Sequence, residues 1–423
     1  MGIQFFNQID VEDQLMIEVG RRLQLTQTEQ KSNRERYESL SAFIDGPSSV
    51  LEDKVKQIDP SGSNSIGASI RSINGNTIPD IDAVIELNIG FNSDPESVLD
   101  AVKKAICRGG DDDDETYRGC EVEVNSRCVT VTYKDGVEVD LMPVALFQPD
   151  EFAPVMVLFH HRVNDDGTVV SYTKKISPLG FKNAVNSKLE SEDNTLLSET
   201  LAKAMSLQEL LAEKAEVTPY PDTKSYDQMS PRIVAIQLLK RFRDVRYSVT
   251  SRSDMRKPPS VVISAMAIEA PFLRTGSLFD EVIHVASSIR NTMKQHRQLG
   301  RVIDVRNPGY DGDVFTDRWP ERLNSQTMFE NDLDYLLSEL DNLKQTESVV
   351  ERKRILKALF GEALGSESLK AVMERKEGAR QAGQLHVTPS GGTVIGALAS
   401  AGKSTNTAVS SSARFGGDST KGD

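Results

Sequence analysis

Residues 62–82 read GSNSIGASIRSINGNTIPDID, with a Gly-Ser pair at one end and Asp80-Ile81-Asp82 at the other. The fold turns on whether this is a loop running into a strand or the two halves of one site. The stretch DIDAVIEL, 80–87, alternates with period two and reads as a strand. Side chains alternate across a strand, so Asp80 and Asp82 share one face and Ile81 takes the other. Two carboxylates that close repel unless a cation sits between them, and hard oxygen ligands suit magnesium or manganese. At the other end, Gly62 lets the backbone come close to a phosphate, where amide groups and the Ser63 hydroxyl can donate to its oxygens.

A third carboxylate comes from further along. Residues 127–142 read as a hairpin turning at Lys134-Asp135-Gly136. In VEVDLMP, 137–143, the apolar residues take one face and Glu138 and Asp140 the other. Beside the first strand, this makes a cluster able to hold two metal ions, which would acidify an attacking hydroxyl and stabilise a departing pyrophosphate. Taken singly these signals are weak, since Asp-x-Asp is common on exposed strand faces and Gly-Ser marks many turns. Their order along one chain carries the information.

Around this core, residues 8–45 show helical spacing and stop near Gly46-Pro47, and SSVLEDKVKQI reads as a further amphipathic piece. A helix is expected over 95–107, followed by the acidic run GGDDDDE. Beyond about residue 175 the pattern is mainly helical, most strongly in SPRIVAIQLLKRFRDVRYS, with Ser230 as N-cap and Pro231 at the first helical position. From about 385 the chain turns to Gly, Ser, Thr and Ala, too poor in large apolar residues to offset ordering entropy. The division expected is an N-terminal helical segment, 1–45, a catalytic core, 46–175, a helical domain, 176–384, and a disordered tail, 385–423.

With 423 residues, 38% hydrophobic and 27% charged, the chain can bury a substantial core. Its net charge of -13 argues against holding duplex DNA or RNA by the phosphates, which takes clustered Lys and Arg. A nucleoside triphosphate remains compatible, neutralised by cations and a few local basic groups. No membrane span or secretory signal is visible, and Cys107, Cys120 and Cys128 are too few and irregular for a disulfide framework or zinc site. A cytoplasmic setting is the expectation.

The order Gly62-Ser63, Asp80-Ile81-Asp82, Asp140 resembles the polymerase-beta-like nucleotidyltransferase superfamily. More narrowly it is similar to the bacterial cGAS/DncV-like nucleotidyltransferases, which make cyclic di- or trinucleotide messengers in antiphage signalling. The closer resemblance rests on Pro143 three positions after Asp140, on SPLGF at 177–181, on LLKRFR at 238–243 with Phe242 where Trp is usual, on Arg306-Asn307-Pro308, and on Arg318-Trp319. It covers roughly residues 40–345. It implies an α+β fold, a mixed sheet with helices plus a C-terminal helical domain, bilobal with a cleft between. It also implies that Asp80, Asp82 and Asp140 bind magnesium, with manganese an alternative, that Gly62 and Ser63 contact the triphosphate, and that Lys240 reaches a phosphate. A downstream effector would read the product, and the tail could serve a regulatory partner or conjugation. One departure is visible: residues 64–79, sixteen in all, separate Ser63 from Asp80, more than the usual spacing.

Other features carry less. GALASAGKS, 396–404, has five residues between its glycines where a Walker A loop needs four. GGDDDDE lacks the ligand spacing of an EF-hand. His160-His161 reads as structural, with Asp140 the better proton acceptor. Lys240, Arg241 and Arg243 read either as a solvated basic face or as phosphate contacts, and Lys257 as a weaker phosphate candidate. Two alternatives to cyclic products stay open: linear synthesis or transfer to an RNA or protein acceptor, and an inactive nucleotide-binding scaffold.

Overall fold

The structure, a computed structural model, describes residues 10–73, 80–108, 116–191, 229–252, 255–273, 276–381, 385–387 and 393–395. Two helices lead, α1 (Val11–Leu23) and α2 (Gln27–Ile44). A capping box starts α2: the Glu29 amide donates to Thr26 Oγ1 (3.2 Å) and the Thr26 amide donates to Glu29 Oε2 (2.7 Å). Next come β1 (Val55–Pro60), the single turn α3 (Gly62–Ser65), β2 (Ile81–Leu87), α4 (Pro95–Cys107), β3 (Thr116–Tyr117), β4 (Cys120–Val124), β5 (Val129–Thr132), β6 (Glu138–Gln148), β7 (Val155–Val163) and β8 (Val169–Ile176).

All eight strands join one mixed sheet. β1 runs antiparallel to β2, β2 parallel to β6, and the long β6 pairs first with β5 and then with β7, both antiparallel. One face packs on α2 and α4 through Leu40, Ile44, Ile81, Ile85, Leu99, Val139 and Phe159. Asp82 and Asp140 lie on the other.

The helical part comprises α5 (Pro178–Ser191), α6 (Pro231–Tyr247), α7 (Ser260–Glu269), α8 (Leu278–Gln298), α9 (Leu323–Gln345), α10 (Val349–Phe360) and α11 (Glu362–Gln381), with a two-stranded β9 (Arg306–Asn307) and β10 (Tyr310–Val314) hairpin between α8 and α9. Its core joins Leu15 and Val19 of α1 to Ile236, Phe242, Leu333 and Phe360. Thus α1 sits in the helical core while α2 packs on the sheet. Among the described residues no helix is long and apolar enough to cross a membrane.

Three expectations are corrected. SSVLEDKVKQI does not form a helix: Ser48 and Asp53 take positive φ (66° and 61°), and the chain then straightens into β1, whose backbone pairs with β2. In the segment from 385, Leu385–Val387 pairs antiparallel with Thr393–Ile395, and the rest of it lies outside the described residues, as do GALASAGKS and GGDDDDE. The basic face of α6 is not solvated, because the helix is buried nearly all round and Lys240, Arg241 and Arg243 with it.

Candidate active site

Ser230 caps α6 by accepting from the Arg232 amide, and Pro231 opens the helix as the sequence predicts. One face of α6 holds the segment that follows α3. Gln237 Nε2 donates to Gly67 O and Ser69 O (both 3.1 Å), Lys240 Nζ to Ala68 O (2.6 Å), and Arg241 Nη2 to Arg71 O and Ser72 O (2.9 and 3.0 Å). These loop carbonyls belong to no sheet ladder, and buried donors spaced i, i+3 and i+4 satisfy them. Lys240 also donates to Ser63 Oγ at 2.8 Å, which brings it to the Gly-Ser turn. Burial, then the neighbouring Arg243 charge, pushes its ammonium down to about 7. Arg243 Nη1 donates instead to Pro258 O and Ser260 Oγ, and Lys257 Nζ to Asp244.

The Gly-Ser turn sits on the end of β2. The Ser61 amide donates to Asp82 O (2.9 Å), and Gly62 turns the chain at φ +57°. A Cβ on Gly62 would lie 2.3 Å from Asp82 Oδ2. Backbone and carboxylate therefore meet at a distance only glycine permits.

Strand register assembles the carboxylates. Asp82 and Asp140 are direct partners across β2 and β6, and Thr130 of β5 is the partner of Asp140 on the other side. The Thr130 hydroxyl donates to Asp140 Oδ1 and accepts from Asn125 Nδ2 (2.8 Å), a relay that fixes the carboxylate. Asp80 stands one residue ahead of β2. Desolvation, then Glu138 and Asp140, lift the Asp80 carboxyl to about 6, although its surface is open to solvent. Desolvation followed by Asp140 and Asp80 does the same to Asp82. Among the described residues no three His, Cys, Asp or Glu side chains are already drawn into a closed ion cage. The donors nonetheless fit a hard divalent cation: they are all oxygens, Asp82 and Asp140 share one sheet face, and burial with neighbouring carboxylates raises the carboxyls of Asp80 and Asp82.

The expected residues Asp80, Asp82, Asp140, Gly62, Ser63 and Lys240 thus come together at one end of the sheet. The sequence reading missed Thr130 and Asn125. The hairpin arithmetic contained the first: a turn centred on residue 135 sets 130 opposite 140. His160 stacks on Tyr172 with ring centroids 4.4 Å apart and is approached by Arg318 Nη2 at 3.5 Å. Two further quoted segments hold the sheet against the helices. Asn307 Nδ2 donates to Ser177 O (2.8 Å), and a Cβ on Gly309 would lie 2.2 Å from Gly180 O.

Residues 12–152 match the family described as Second Messenger Oligonucleotide or Dinucleotide Synthetase domain. Over 403 residues, 92% of both chains, the sequence is 28% identical to the cyclic dinucleotide synthase CdnG of Bradyrhizobium diazoefficiens. It is 23% identical over 333 residues, 77% of both chains, to the c-di-GMP synthase of Roseivirga ehrenbergii. The structure of the Bradyrhizobium CdnG in complex with GTP superposes with a TM-score of 0.69 at 24% identity, covering 86% of this chain and 99% of that one. That of Escherichia coli MS115-1 CdnC with ATP gives 0.53 at 15%, covering 84% and 99%. Carboxylates on adjacent strands lie behind a Gly-Ser turn within the stretch that matches the synthetase domain, the fold is that of the Bradyrhizobium CdnG, and over residues 12–152 the chain is thus similar to second-messenger oligonucleotide and dinucleotide synthetases.

Proposed function

We propose that the chain joins two nucleoside triphosphates, with release of pyrophosphate, into a cyclic dinucleotide second messenger. The single observation that carries this reading is the register pairing of Asp82 with Asp140, with Asp80 beside them and the Gly62–Ser63 turn against Asp82. The dinucleotide product is favoured by the two relatives named as dinucleotide synthases, both matched over most of their length. A role in antiphage signalling rests on the family resemblance.

Asp80, Asp82 and Asp140 would hold magnesium, or manganese in its place, which would neutralise the triphosphate and acidify the attacking hydroxyl. Amides of the Gly62–Ser63 turn bind the phosphates, and Lys240 holds Ser63 in place from α6. A ribose hydroxyl oxygen attacks the α-phosphorus, the bond to the β-phosphate bridging oxygen breaks, and Asp140, oriented by Thr130, takes the hydroxyl proton. The same step run within the linear intermediate closes the ring. Positioning supplies most of the acceleration.

Purified protein incubated with ATP, GTP, CTP and UTP plus magnesium is expected to yield a phosphatase-resistant product without free ends, identified by mass. Asp80→Ala/Asp82→Ala should abolish it. Phosphatase-sensitive chains would show linear synthesis instead, and no product under any mixture would leave a macromolecular acceptor or a scaffold.

A further inference from the structure

Away from the carboxylates, beside the core that the sheet shares with α2 and α4, three arginines meet three aromatic rings. β3 turns into β4 through Arg118 and Gly119, with Tyr117 paired to Cys120, and both turn residues take positive φ, 51° and 77°. Such a two-residue turn ordinarily opens on Asn, Asp or Gly, and an arginine held there carries a backbone cost that its side chain must offset. That side chain lies over Phe43 of α2 and over Tyr117, at 5.5 and 5.2 Å from the ring centroids, and donates to Ser39 Oγ at 3.0 Å. Arg108, the residue that ends α4, lies over the same Phe43 ring at 4.0 Å. Arg36 lies over Tyr133 at 4.8 Å and pairs with Asp135. Tyr117 belongs to the core of the sheet, and Phe43 and Tyr133 pack against it, so the rings are fixed.

Charge at this cluster is not balanced. Acids outnumber bases along the chain, 63 to 50, yet among the described residues Arg108 and Arg118 make no salt bridge. An aromatic face attracts a guanidinium but gives its N–H groups no acceptor in their own plane. Nη1 of Arg36, Nη1 of Arg108 and the hydroxyl of Tyr117, a residue only 3% exposed, have no hydrogen-bond partner. Unmet donors of one sign around shared rings call for an anion, and guanidinium forks match the oxygens of phosphate.

We infer that Arg108 and Arg118 form a binding site for a small oxyanion of the phosphate class, held at the edge of Phe43 with Arg36 beside it. Two guanidiniums on one ring suit a dianion, free or at the end of an organic ester. The site lies apart from the Gly62–Ser63 turn and does not depend on nucleotidyl transfer. The opposing assignment is that the arginines only pack on the rings.

The test is calorimetric binding of inorganic phosphate to the full chain in EDTA without magnesium, so that no carboxylate-bound metal recruits the anion. The acidic run 109–115 lies outside the described residues, and the full chain keeps it in every measurement. The parent should bind with a Kd of about 1 mM or tighter, the scale of two charge-assisted hydrogen bonds. Arg118→Asn accepts the left-handed turn but removes the guanidinium, and should weaken binding about tenfold or more, as should Arg108→Gln. Ser63→Ala, at the distant turn, should bind phosphate within about twofold of the parent. Sodium chloride at matched ionic strength should not reproduce the heat. Glycerol phosphate in place of phosphate tells the two sources apart: tighter binding assigns the site to an ester, equal binding to the free anion. Parent-like binding in Arg118→Asn would overturn the inference and leave the arginines as ring packing, and this variant decides alone if Arg108→Gln fails to fold. Binding in the parent weaker than the stated limit, or lost with Ser63→Ala, would overturn it as well.

Discussion

Gly62 is held at φ +57°, and the place a Cβ would take lies 2.3 Å from Asp82 Oδ2 and 3.0 Å from its Cγ. Any side chain there meets two costs at once, a left-handed backbone and a collision with a carboxylate that the strand register fixes. Gly62→Ala is therefore expected to displace either the turn or Asp82. We expect nucleotidyl transfer to fall by at least about tenfold, a displacement of about 1 Å at a reacting centre being enough for more than that. Thermal unfolding should show about 1–3 kcal/mol of destabilisation. Steady-state rates beside a melting curve check this, and parent-like rates would show that the turn does not contact the phosphates. The shared face of Asp82 and Asp140 was legible in the sequence because strand periodicity decides which side chains share a face. Lys240 was assigned by resemblance to a phosphate, and its partners Ser63 and Ala68 could not be read, since they depend on how α6 crosses a loop 172 residues away.

Elements with strong local signals followed expectation: β2, the hairpin of β5 and β6, α4 and α6 lie where alternation, turn residues and caps put them. The stretch over 48–58 did not, because pairing with β2 outweighs helical spacing in so short a piece. Nor could spacing show that α1 belongs to the helical core. That packing buries Asp13, whose Oδ1 accepts from the Ser277 hydroxyl (3.0 Å) and the Phe279 amide (2.8 Å) at the start of α8. Burial outweighs these bonds and raises the carboxyl to about 6. A carboxyl whose folded pKa lies above its unfolded value, near 3.9, favours the folded state fully at low pH. That contribution is lost as pH rises through about 6. Asp13→Asn keeps an acceptor oxygen without the charge. The variant should melt above the parent at pH 8, by about 1–3 kcal/mol, with the gap closing towards pH 4. Melting curves across that range test it, and a gap constant with pH would assign the effect to packing.

Across the whole molecule, charge decides how the enzyme meets its surroundings. The net charge is -13, and the basic side chains that α6 brings towards the site are already engaged. Lys240 holds Ser63 and Ala68 O, Arg241 the carbonyls of Arg71 and Ser72, and Arg243 those of Pro258 and Ser260 Oγ, while Lys257 pairs with Asp244. Among the described residues Arg127 stands close enough to Asp82 to bear on its charge, which suits one small nucleotide and falls far short of a groove that tracks a duplex. A protein tracking a duplex through 6–10 phosphate contacts loses roughly a thousandfold to a hundred-thousandfold in affinity between 50 and 200 mM salt. This chain is expected to turn over without nucleic acid, its rate changing less than about tenfold over that salt range, the dependence of one or two phosphate contacts. Measuring product formation with and without duplex DNA at both salt concentrations decides the matter. Strong stimulation by the duplex at low salt, lost at high salt, would mean that a basic surface forms only when the polyanion binds, and that net charge is a poor guide to what switches this chain on.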